Sequence, residues 1–468
     1  MRRHLHGVPD AKRERTLVVT ATTVESTPLA TEETSPPPEP PAILTAEVAA
    51  ATSSTARVEW RTNVPTRGEV AFGIAEPTIW AEPTDASTTE HESVLTGLDA
   101  STAYRVYIKA RDDEQRVAST TLTLTTSPGP DASTARADGD RIIVDDTPFF
   151  GRAVWKQCSD GFGSNIDDGI NLFIGDGCSR NDLELPGRLD GRAYSLVSAE
   201  DADAPGRGVI GWYYRDEWDA FLESTVERRD LAHAIVAPRA GRVGFLTLTN
   251  HFYSHAEPLP QGKGMYPLLF TIPDVIGFDL YPLQGWCRPA FGDVFDAQRE
   301  LSQAFGGKPT FQWIEVAPME QVCGTIAELD PTPATVRAET WLAIAGGADS
   351  IGYFPNRWSP SIGAEIGRIN NEIKALSPAL LAQAVVASSD NTAVRVSART
   401  LNGALYVIAV NTSDETVWAK ISVDGFDGRS GTIFGDGESS VVTSDADGFA
   451  ASFGPLAARV YLFPPQGW

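Results

Sequence analysis

The sequence has few cysteines and no long apolar run. Only four cysteines occur among 468 residues, too few for a small fold held together by disulfides. No apolar stretch approaches the roughly 20 residues that a helix needs to cross a bilayer. Near the N-terminus, the basic residues Arg2, Arg3 and Lys12 are followed only by the short apolar run at 17–19, which is shorter than a signal-peptide core. We therefore expect no membrane insertion, and export must be inferred from other features.

Positive charge is also scarce. Lys and Arg number 38 against 62 Asp and Glu, so the formal net charge is −24. A chain with this charge is repelled by nucleic acids and by anionic membrane surfaces. We therefore expect no nucleic-acid partner, whereas a neutral carbohydrate remains compatible with the charge. The composition indicates no oligomeric state.

The length is sufficient for about three domains. Residues 1–41 are rich in Thr, Glu, Ser and Pro, which predicts a disordered tail or an extended stalk. Residues 42–126 alternate between apolar and polar side chains, with turn residues between the alternating runs. This pattern is typical of a small β-sandwich. The same period returns over 377–468 and predicts a second antiparallel sandwich.

One stretch of the first β module carries a family signature. Residues 95–104 read Leu-Thr-Gly-Leu-Asp-Ala-Ser-Thr-Ala-Tyr, which resembles the corresponding segment of fibronectin type III modules. The resemblance implies that Tyr104 is the corner tyrosine of the module and that Trp60 is its core tryptophan. Such modules are usually spacers or adhesion units, so we expect no catalytic role for this one.

Strands and helices alternate over 141–376, after a linker at 127–140, and this favours a parallel sheet. Eight segments have strand character, the number that a closed (β/α)8 barrel of the TIM type needs. They are 149–155, 171–174, 193–197, 209–214, 243–249, 275–280, 310–314 and 350–354. The helices are predicted at 219–237, 294–305, 335–345 and 362–376, with truncated helices in the first half. The predicted fold is therefore a (β/α)8 barrel flanked by two all-β sandwich domains.

Two predicted barrel strands run directly into carboxylates. Strand 209–214 is followed by Asp216 and Glu217, and strand 310–314 by Glu315. A carboxylate is costly to bury unless it is paired or used, and barrel enzymes place their chemistry at the C-terminal strand ends. Cleavage of a glycosidic bond needs one carboxyl to protonate the leaving oxygen and another to attack the sugar or activate water. We therefore predict a glycoside hydrolase with Glu217 and Glu315 as the catalytic pair.

This arrangement resembles the clan-A glycoside hydrolases, in which the acid/base follows strand four and the nucleophile follows strand seven. The resemblance implies that Glu217 is the acid/base and that Glu315 is the nucleophile. The presumed geometry across the barrel predicts a retaining reaction, which a carboxyl separation of about 5 Å would support and one of roughly 6.5–9.5 Å would replace by inversion. The resemblance also implies that Tyr281, after strand six, hydrogen-bonds the nucleophile. The chain departs from the family at Asp216, where asparagine is usual.

The carboxylates next to this pair have several interpretations. Asp216 is either the acid itself or a like charge that raises the pKa of Glu217. In a third interpretation, Asp216 and Asp219 only cap the following helix. Asp279, which ends strand six, is expected to be a structural hydrogen-bond acceptor that supports the site.

Further side chains near the same strand ends are candidates for substrate contact, because the C–H faces of sugars pack on aromatic rings. They are Trp155, His251, Tyr253, Trp286, Asn356 and Trp358. For Trp212 and Trp313, which lie within strands, a core position is favoured. His251 and His255 have metal-ligand spacing only on a helix, and Pro258 argues against one there. We therefore expect neither a metal nor another cofactor.

The four cysteines follow neighbouring predicted strands. Cys158 and Cys178 follow strands one and two, and Cys287 and Cys323 follow strands six and seven. Since neighbouring strands present neighbouring loops, the expected disulfides are Cys158–Cys178 and Cys287–Cys323, with four free thiols as the alternative. Two disulfides imply an oxidising compartment and therefore an extracellular or cell-surface location.

A protein that binds saccharide without cleaving it is the rival interpretation. In that case Glu217 and Glu315 are polar contacts in an inactive barrel. Hydrolysis of an ester or amide is not supported, because the sequence contains no Gly-x-Ser-x-Gly elbow and no convincing metal-ligand motif. The sequence does not indicate the sugar or the linkage.

Overall fold

The computed structural model describes residues 39–127, 133–204, 207–222, 240–435, 442, 444–445 and 447–466. The predicted tail and most of the predicted helix at 219–237 lie outside these residues. Within them, no helix is both long enough and apolar enough to cross a membrane.

The N-terminal module is a six-stranded antiparallel sheet. Its strands are β1 (Ile43–Ala51), β2 (Thr55–Gly73), β3 (Ile79–Trp80), β4 (Thr84–Thr96), β5 (Ala103–Arg111) and β6 (Val117–Thr125). The long β2 pairs with β1 and β4 in its first half and with β5 in its second half. Trp60 is buried and stacks on His91, and the Tyr104 hydroxyl accepts the Asp99 N–H at 2.8 Å. The fibronectin type III assignment stays a prediction.

A small three-stranded sheet leads into the barrel. It contains β7 (Ala135–Asp138), β8 (Arg141–Val144) and β9 (Thr147–Phe149). Ala135, Ile142 and Val144 pack in the same apolar cluster as the side chains that line the barrel interior, such as Leu172 and Val243. These two residues lie at the beginning of their strands, so the small sheet covers the N-terminal end of the barrel and leaves the C-terminal end for chemistry.

Eight parallel strands form a closed barrel, as predicted. They are β10 (Gly151–Gln157), β11 (Leu172–Asp176), β12 (Tyr194–Ser198), β13 (Val209–Tyr213), β14 (Val243–Thr249), β15 (Val275–Asp279), β16 (Thr310–Glu315) and β17 (Ser350–Phe354). The barrel closes where β10 pairs with β17. Apolar side chains are buried on both faces of these strands, inside the barrel and under the helices. This explains why the strands appear in the sequence as short, nearly continuous apolar runs.

Among the described residues, the helices are short in the first half of the barrel and long in the second. They are α1 (Phe162–Asp167), α2 (Leu185–Leu189), α3 (Tyr266–Leu269), α4 (Phe291–Ala304), α5 (Glu320–Cys323), α6 (Pro333–Gly346) and α7 (Pro360–Leu380). The Thr332 side chain caps α6 by accepting the Thr335 N–H, and Gly347 ends this helix with φ 111°. A glycine is favoured there because L side chains rarely adopt a left-handed backbone.

Two stacked antiparallel sheets form the C-terminal module. Its strands are β18 (Gln383–Val385), β19 (Ala387–Ser389), β20 (Val394–Leu401), β21 (Ala404–Asn411), β22 (Val417–Val423), β23 (Thr432–Ile433), β24 (Ser444–Asp445), β25 (Gly448–Phe453) and β26 (Ala458–Phe463). The inner sheet has the order β18-β20-β21-β26-β23, and the outer sheet has the order β19-β22-β25-β24. The inner sheet packs against α6 and α7 of the barrel, so the outer sheet is the layer farther from the barrel.

The N-terminal and C-terminal modules also contact each other. The Tyr406 hydroxyl donates to the Thr78 carbonyl at 2.8 Å, and the Asn402 side chain donates to the Trp80 carbonyl at 2.6 Å. Trp80 and Tyr406 belong to a single cluster of buried apolar residues that continues into the barrel. The fold class is therefore a (β/α)8 barrel flanked by antiparallel β modules.

Candidate active site

A cluster of carboxyl groups lies at the C-terminal ends of β13 and β15. After β13 the chain continues through exposed Asp216 and half-buried Glu217, and β15 ends at half-buried Asp279. Glu217 and Asp279 interact electrostatically, and Asp279 also interacts with Asp216 and Tyr281. The structure therefore places three carboxyls and a phenol near one another at the C-terminal end of the barrel.

Burial and like charges favour retention of protons in this cluster. Burial raises the pKa of Glu217, and the charges of Asp216 and Asp219 raise it further, whereas Asp279 and His251 lower it. Burial, together with the charges of Asp216 and Glu217, raises the pKa of Asp279 well above its ordinary value. Two carboxyls in contact cannot both ionise without a cost in free energy. The pair therefore holds a proton at pH values where an isolated carboxyl has already lost its own.

Asp219 fixes the loop that carries Glu217. Its buried carboxylate accepts the Thr249 N–H at 3.0 Å, the Thr249 hydroxyl at 2.5 Å and the Tyr266 hydroxyl at 2.9 Å. Glu217 has a left-handed backbone with φ 47°, a conformation that costs a non-glycine residue about 1 kcal/mol or more. The Asp219 hydrogen bonds tie the following 3-10 helix, Trp218–Phe221, to the end of β14. They support this conformation of Glu217.

Glu315 lies apart from this cluster. Its side chain is 0% exposed, and its two oxygens accept the backbone N–H groups of Leu283 and Gln284 at 2.8 and 2.7 Å. Its interacting carboxyl is Glu339 of α6, and burial raises the pKa of both groups. Glu315 therefore anchors the loop after β15. The interactions of Glu217 are with Asp216, Asp219, Asp279 and His251, whereas those of Glu315 are with Leu283, Gln284 and Glu339. The pairing of Glu217 with Glu315 stays a prediction.

The rim above β10 combines aromatic rings with a cation. Trp155 makes edge-to-face contacts with Tyr213 and Trp313, at centroid distances of 5.2 and 5.9 Å. The exposed ammonium of Lys156 lies 5.1 Å from the Trp155 ring centroid and opposes the raised pKa of Asp216. Trp155 is thus close to the acidic cluster, and its contact with substrate stays a prediction. Lys156 was not predicted as a site residue, although it directly follows Trp155.

The candidates after β14 and β15 form a second aromatic group. Tyr253 is buried, and its hydroxyl donates to Asp293 at 2.8 Å. Trp286 stacks on Tyr253 and donates its indole N–H to Asn250 at 3.3 Å. Tyr253 therefore supports the half-buried Trp286. Only His251 of this group interacts with Glu217.

The candidates after β17 make contacts between loops. The Asn356 side chain donates to the Lys156 carbonyl at 2.7 Å, and the Asn356 carbonyl accepts from Gln157 at 2.7 Å. Trp358 packs on Tyr353 and donates to Asp168 at 3.4 Å. The Trp358 side chain is therefore directed towards α1. Asn356 stabilises the loop that carries Lys156.

Both expected disulfides are present. Cys158 is bonded to Cys178, and Cys287 is bonded to Cys323, so all four cysteines are paired. The prediction of this pairing is confirmed. The bonds staple the loops after β10 and β11 and the loops after β15 and β16, and they fit an oxidising compartment.

Distantly similar proteins are found among solved structures. No protein-family model matches the sequence, and a search of curated proteins finds no relative. Among solved structures, a protein assigned as an α-galactosidase from Bacteroides fragilis has a TM-score of 0.46 and 10% identity, over 90% of this chain and 97% of that chain. The β-glucuronidase from Ruminococcus gnavus, solved with D-glucuronic acid, has a TM-score of 0.38 and 10% identity, over 71% and 68% of the chains. At this identity, the similarity carries no assignment of substrate.

Proposed function

We propose that the protein is a glycoside hydrolase that cleaves O-glycosidic bonds of an oligo- or polysaccharide, with Glu217 and Asp279 as its catalytic pair. The supporting observation is the electrostatic interaction of these two carboxyls at the C-terminal end of the barrel. Glycoside hydrolysis needs one protonated and one ionised carboxyl beside the scissile bond. Two neighbouring carboxyls with raised pKa values supply both forms.

Within this pair, Asp279 holds the proton. Its pKa is raised by burial and by the charges of Asp216 and Glu217, whereas the interaction with Asp279 lowers the pKa of Glu217. Asp279 is therefore the general acid, and Glu217 is the carboxylate that attacks the anomeric carbon. In this assignment Glu217 is the nucleophile, whereas the clan-A resemblance implies that it is the acid/base. Asp216 and Tyr281 interact electrostatically with the pair and influence its protonation.

We assign a retaining reaction, because two neighbouring carboxyls leave no room for the water molecule that an inverting enzyme holds beside its base. Retaining enzymes separate their two carboxyls by about 5–5.5 Å, whereas inverting enzymes separate them by about 6.5–9.5 Å to admit a water molecule. In the retaining cycle, Asp279 protonates the leaving oxygen while Glu217 forms the glycosyl ester. Asp279 then removes a proton from the water that hydrolyses this ester.

The charge of the barrel mouth favours a neutral sugar. Asp216, Glu217 and Asp279 lie together, with Lys156 and His251 as the interacting cationic or titratable groups. Together with the net charge of −24, this cluster repels a uronic acid.

The experiment is a panel of neutral α- and β-aryl glycosides and neutral polysaccharides. It compares the wild type with Glu217→Gln, Asp279→Asn and, as a matched carboxyl control, Glu315→Gln. We expect kcat to fall by roughly 10²–10⁴-fold in the first two variants, with circular dichroism unchanged, and to fall far less in Glu315→Gln. A larger loss in Glu315→Gln than in Asp279→Asn, with the fold intact, restores Glu315 as the partner. Binding without turnover across the panel favours the non-catalytic alternative.

Leaving-group dependence separates the two roles. A 2,4-dinitrophenyl glycoside needs no protonation of its leaving group. Asp279→Asn should therefore still form the glycosyl-enzyme on this substrate, whereas Glu217→Gln should not. Added azide should then yield a glycosyl azide of retained configuration from Asp279→Asn. The reverse pattern in the two variants would show that Glu217 is the acid.

A further inference from the structure

Trp418 is an exposed tryptophan on the outer sheet of the C-terminal module. It belongs to β22, and 70% of its surface is accessible to solvent. Tryptophan is on average highly buried in folded proteins, since its large apolar ring gains more from leaving water than most side chains do. The exposed face of this ring is therefore available for contact with a ligand.

The sheet face around Trp418 is otherwise polar. Along β22, Ala419, Ile421 and Val423 point into the core of the module, so the alternate residues Trp418, Lys420 and Ser422 point outwards. On the neighbouring β25, Ser452 lies opposite Trp418, and Ala450 lies opposite Lys420. The face thus presents one indole ring among hydroxyl, ammonium and small side chains.

Hydrogen bonds fix the segment of β22 that carries Trp418. The Asn391 side chain donates to the Trp418 carbonyl at 2.9 Å, and Asp390 accepts the Lys420 N–H at 2.7 Å. The Lys420 ammonium pairs with Asp445 at 3.0 Å. The backbone under the ring is therefore fixed from the adjoining turn, and a charged pair borders the ring on the same face.

We propose that this face is an auxiliary binding site for a neutral saccharide chain, with one sugar ring stacked on Trp418. A pyranose ring presents an apolar C–H face to an indole and directs its hydroxyls outwards. Ser452 and the Lys420–Asp445 pair are positioned to hydrogen-bond such hydroxyls. The choice of a saccharide rests in part on the proposed hydrolase function, because the polymer that is cleaved is also the one that a second site would retain.

Size and charge argue against other occupants. A stable protein partner buries about 800 Å² on each side and needs a contiguous apolar centre, whereas this face offers a single large apolar side chain. Asp390 and Asp445 lie beside the ring, and the chain carries a net charge of −24, so an anionic polymer is repelled. The inner sheet lies between this face and the barrel helices. The site is therefore separate from the carboxyl cluster.

The test is affinity electrophoresis of the full chain in native gels that contain neutral glucan, mannan, galactan or xylan. It uses Trp418→Ala in both the wild-type and the Glu217→Gln backgrounds. Val386→Ala is the matched control, because Val386 is 68% exposed and lies between β18 and β19 of the same module but carries no ring. We expect retardation by at least one polysaccharide, its loss in Trp418→Ala and its retention in Val386→Ala and Trp418→Tyr.

Retardation that is equal in Trp418→Ala and the wild type overturns the proposal, as does the absence of retardation by every neutral polymer. Retardation only by an anionic polymer or by an added protein also contradicts it. Activity on small aryl glycosides tests the two proposals separately. Trp418→Ala should leave this activity unchanged, whereas Glu217→Gln should abolish it without altering retardation. Retardation without any turnover would therefore remove the hydrolase and keep the binding face.

Discussion

Thr249 donates both its backbone N–H and its hydroxyl to the buried carboxylate of Asp219. The two residues lie 30 positions apart in the sequence, at the ends of neighbouring barrel strands. This contact links the loop that carries Glu217 to the rigid barrel. The position of a proposed catalytic group therefore depends on a carboxylate that is itself fully buried, two residues further along the chain.

Replacement of Asp219 by asparagine should change both the rate and its pH dependence. The loop should lose its fixed position, with kcat falling by about 10–100-fold. The acidic limb of the pH profile should move to lower pH, because the Asp219 charge raises the pKa of Glu217. Thr249→Val is the control, since it removes one donor but keeps the charge. An acidic limb that stays in place in Asp219→Asn would show that Asp219 acts through position alone.

The wild-type pH profile should be bell-shaped and displaced towards neutral pH. The Glu217–Asp279 pair titrates in two steps, and burial raises the pKa of both members. Activity should therefore persist above the ordinary carboxyl range and decline only when the second proton leaves. Profiles of kcat/KM on a neutral aryl glycoside measure this. Asp279→Asn should lose the alkaline limb, and a profile that falls away just above the ordinary carboxyl pKa would contradict the proton-holding pair.

Asp349 should make the folded state less stable at alkaline pH. Burial raises the pKa of Asp349 from 3.8 to about 8, so the folded protein keeps a proton that the unfolded chain releases. The stabilisation is present below pH 3.8 and is lost as the pH rises towards about 8. Asp349→Asn keeps an acceptor for the Thr310 N–H, which lies 3.0 Å from the Asp349 carboxyl. In calorimetry between pH 4 and 8.5, Tm should decline less steeply in this variant than in the wild type.

The Cys287–Cys323 bond should stabilise the rim of the barrel. It closes a loop of 36 residues, for which chain-entropy estimates give about 3–4 kcal/mol. The double Ser variant should lose about this much free energy of unfolding in urea. It should also raise KM more than the Cys158, Cys178 double Ser variant does, because the Cys287 loop includes Tyr281 and Trp286. An unchanged urea midpoint would show that the bond is absent in solution.

The sequence predicted the barrel well, because each strand is a local signal. The bounds of β14 and β17 agree with the predicted segments 243–249 and 350–354. These strands are buried on both faces and therefore have short, apolar sequences with clear ends. The long helices α4 and α7 were found for a similar reason, since each has an apolar stripe that is buried, whereas α6 is buried on most of its sides.

Which carboxylates lie near Glu217 was harder to predict from the sequence. Glu315 follows its strand just as Glu217 does, and nothing in the sequence shows that Leu283 and Gln284 turn their N–H groups onto its carboxylate. The donors in this contact are backbone N–H groups that lie about 30 residues from Glu315 in the sequence. Backbone donors do not depend on side-chain type, so no sequence pattern marks them. Asp279 was expected to play a structural role because it stands alone after its strand. Its proximity to Glu217 is a result of barrel closure.

The Tyr406–Thr78 hydrogen bond and the apolar cluster around it join the ends of the chain. A shortened gene that lacks the N-terminal module would therefore expose Tyr406, and one that lacks the C-terminal module would expose Trp80. Such fragments should precipitate or require detergent, and heating of the intact chain should melt both β modules together with the barrel. A transfer of this barrel into another protein would therefore need to include both β modules.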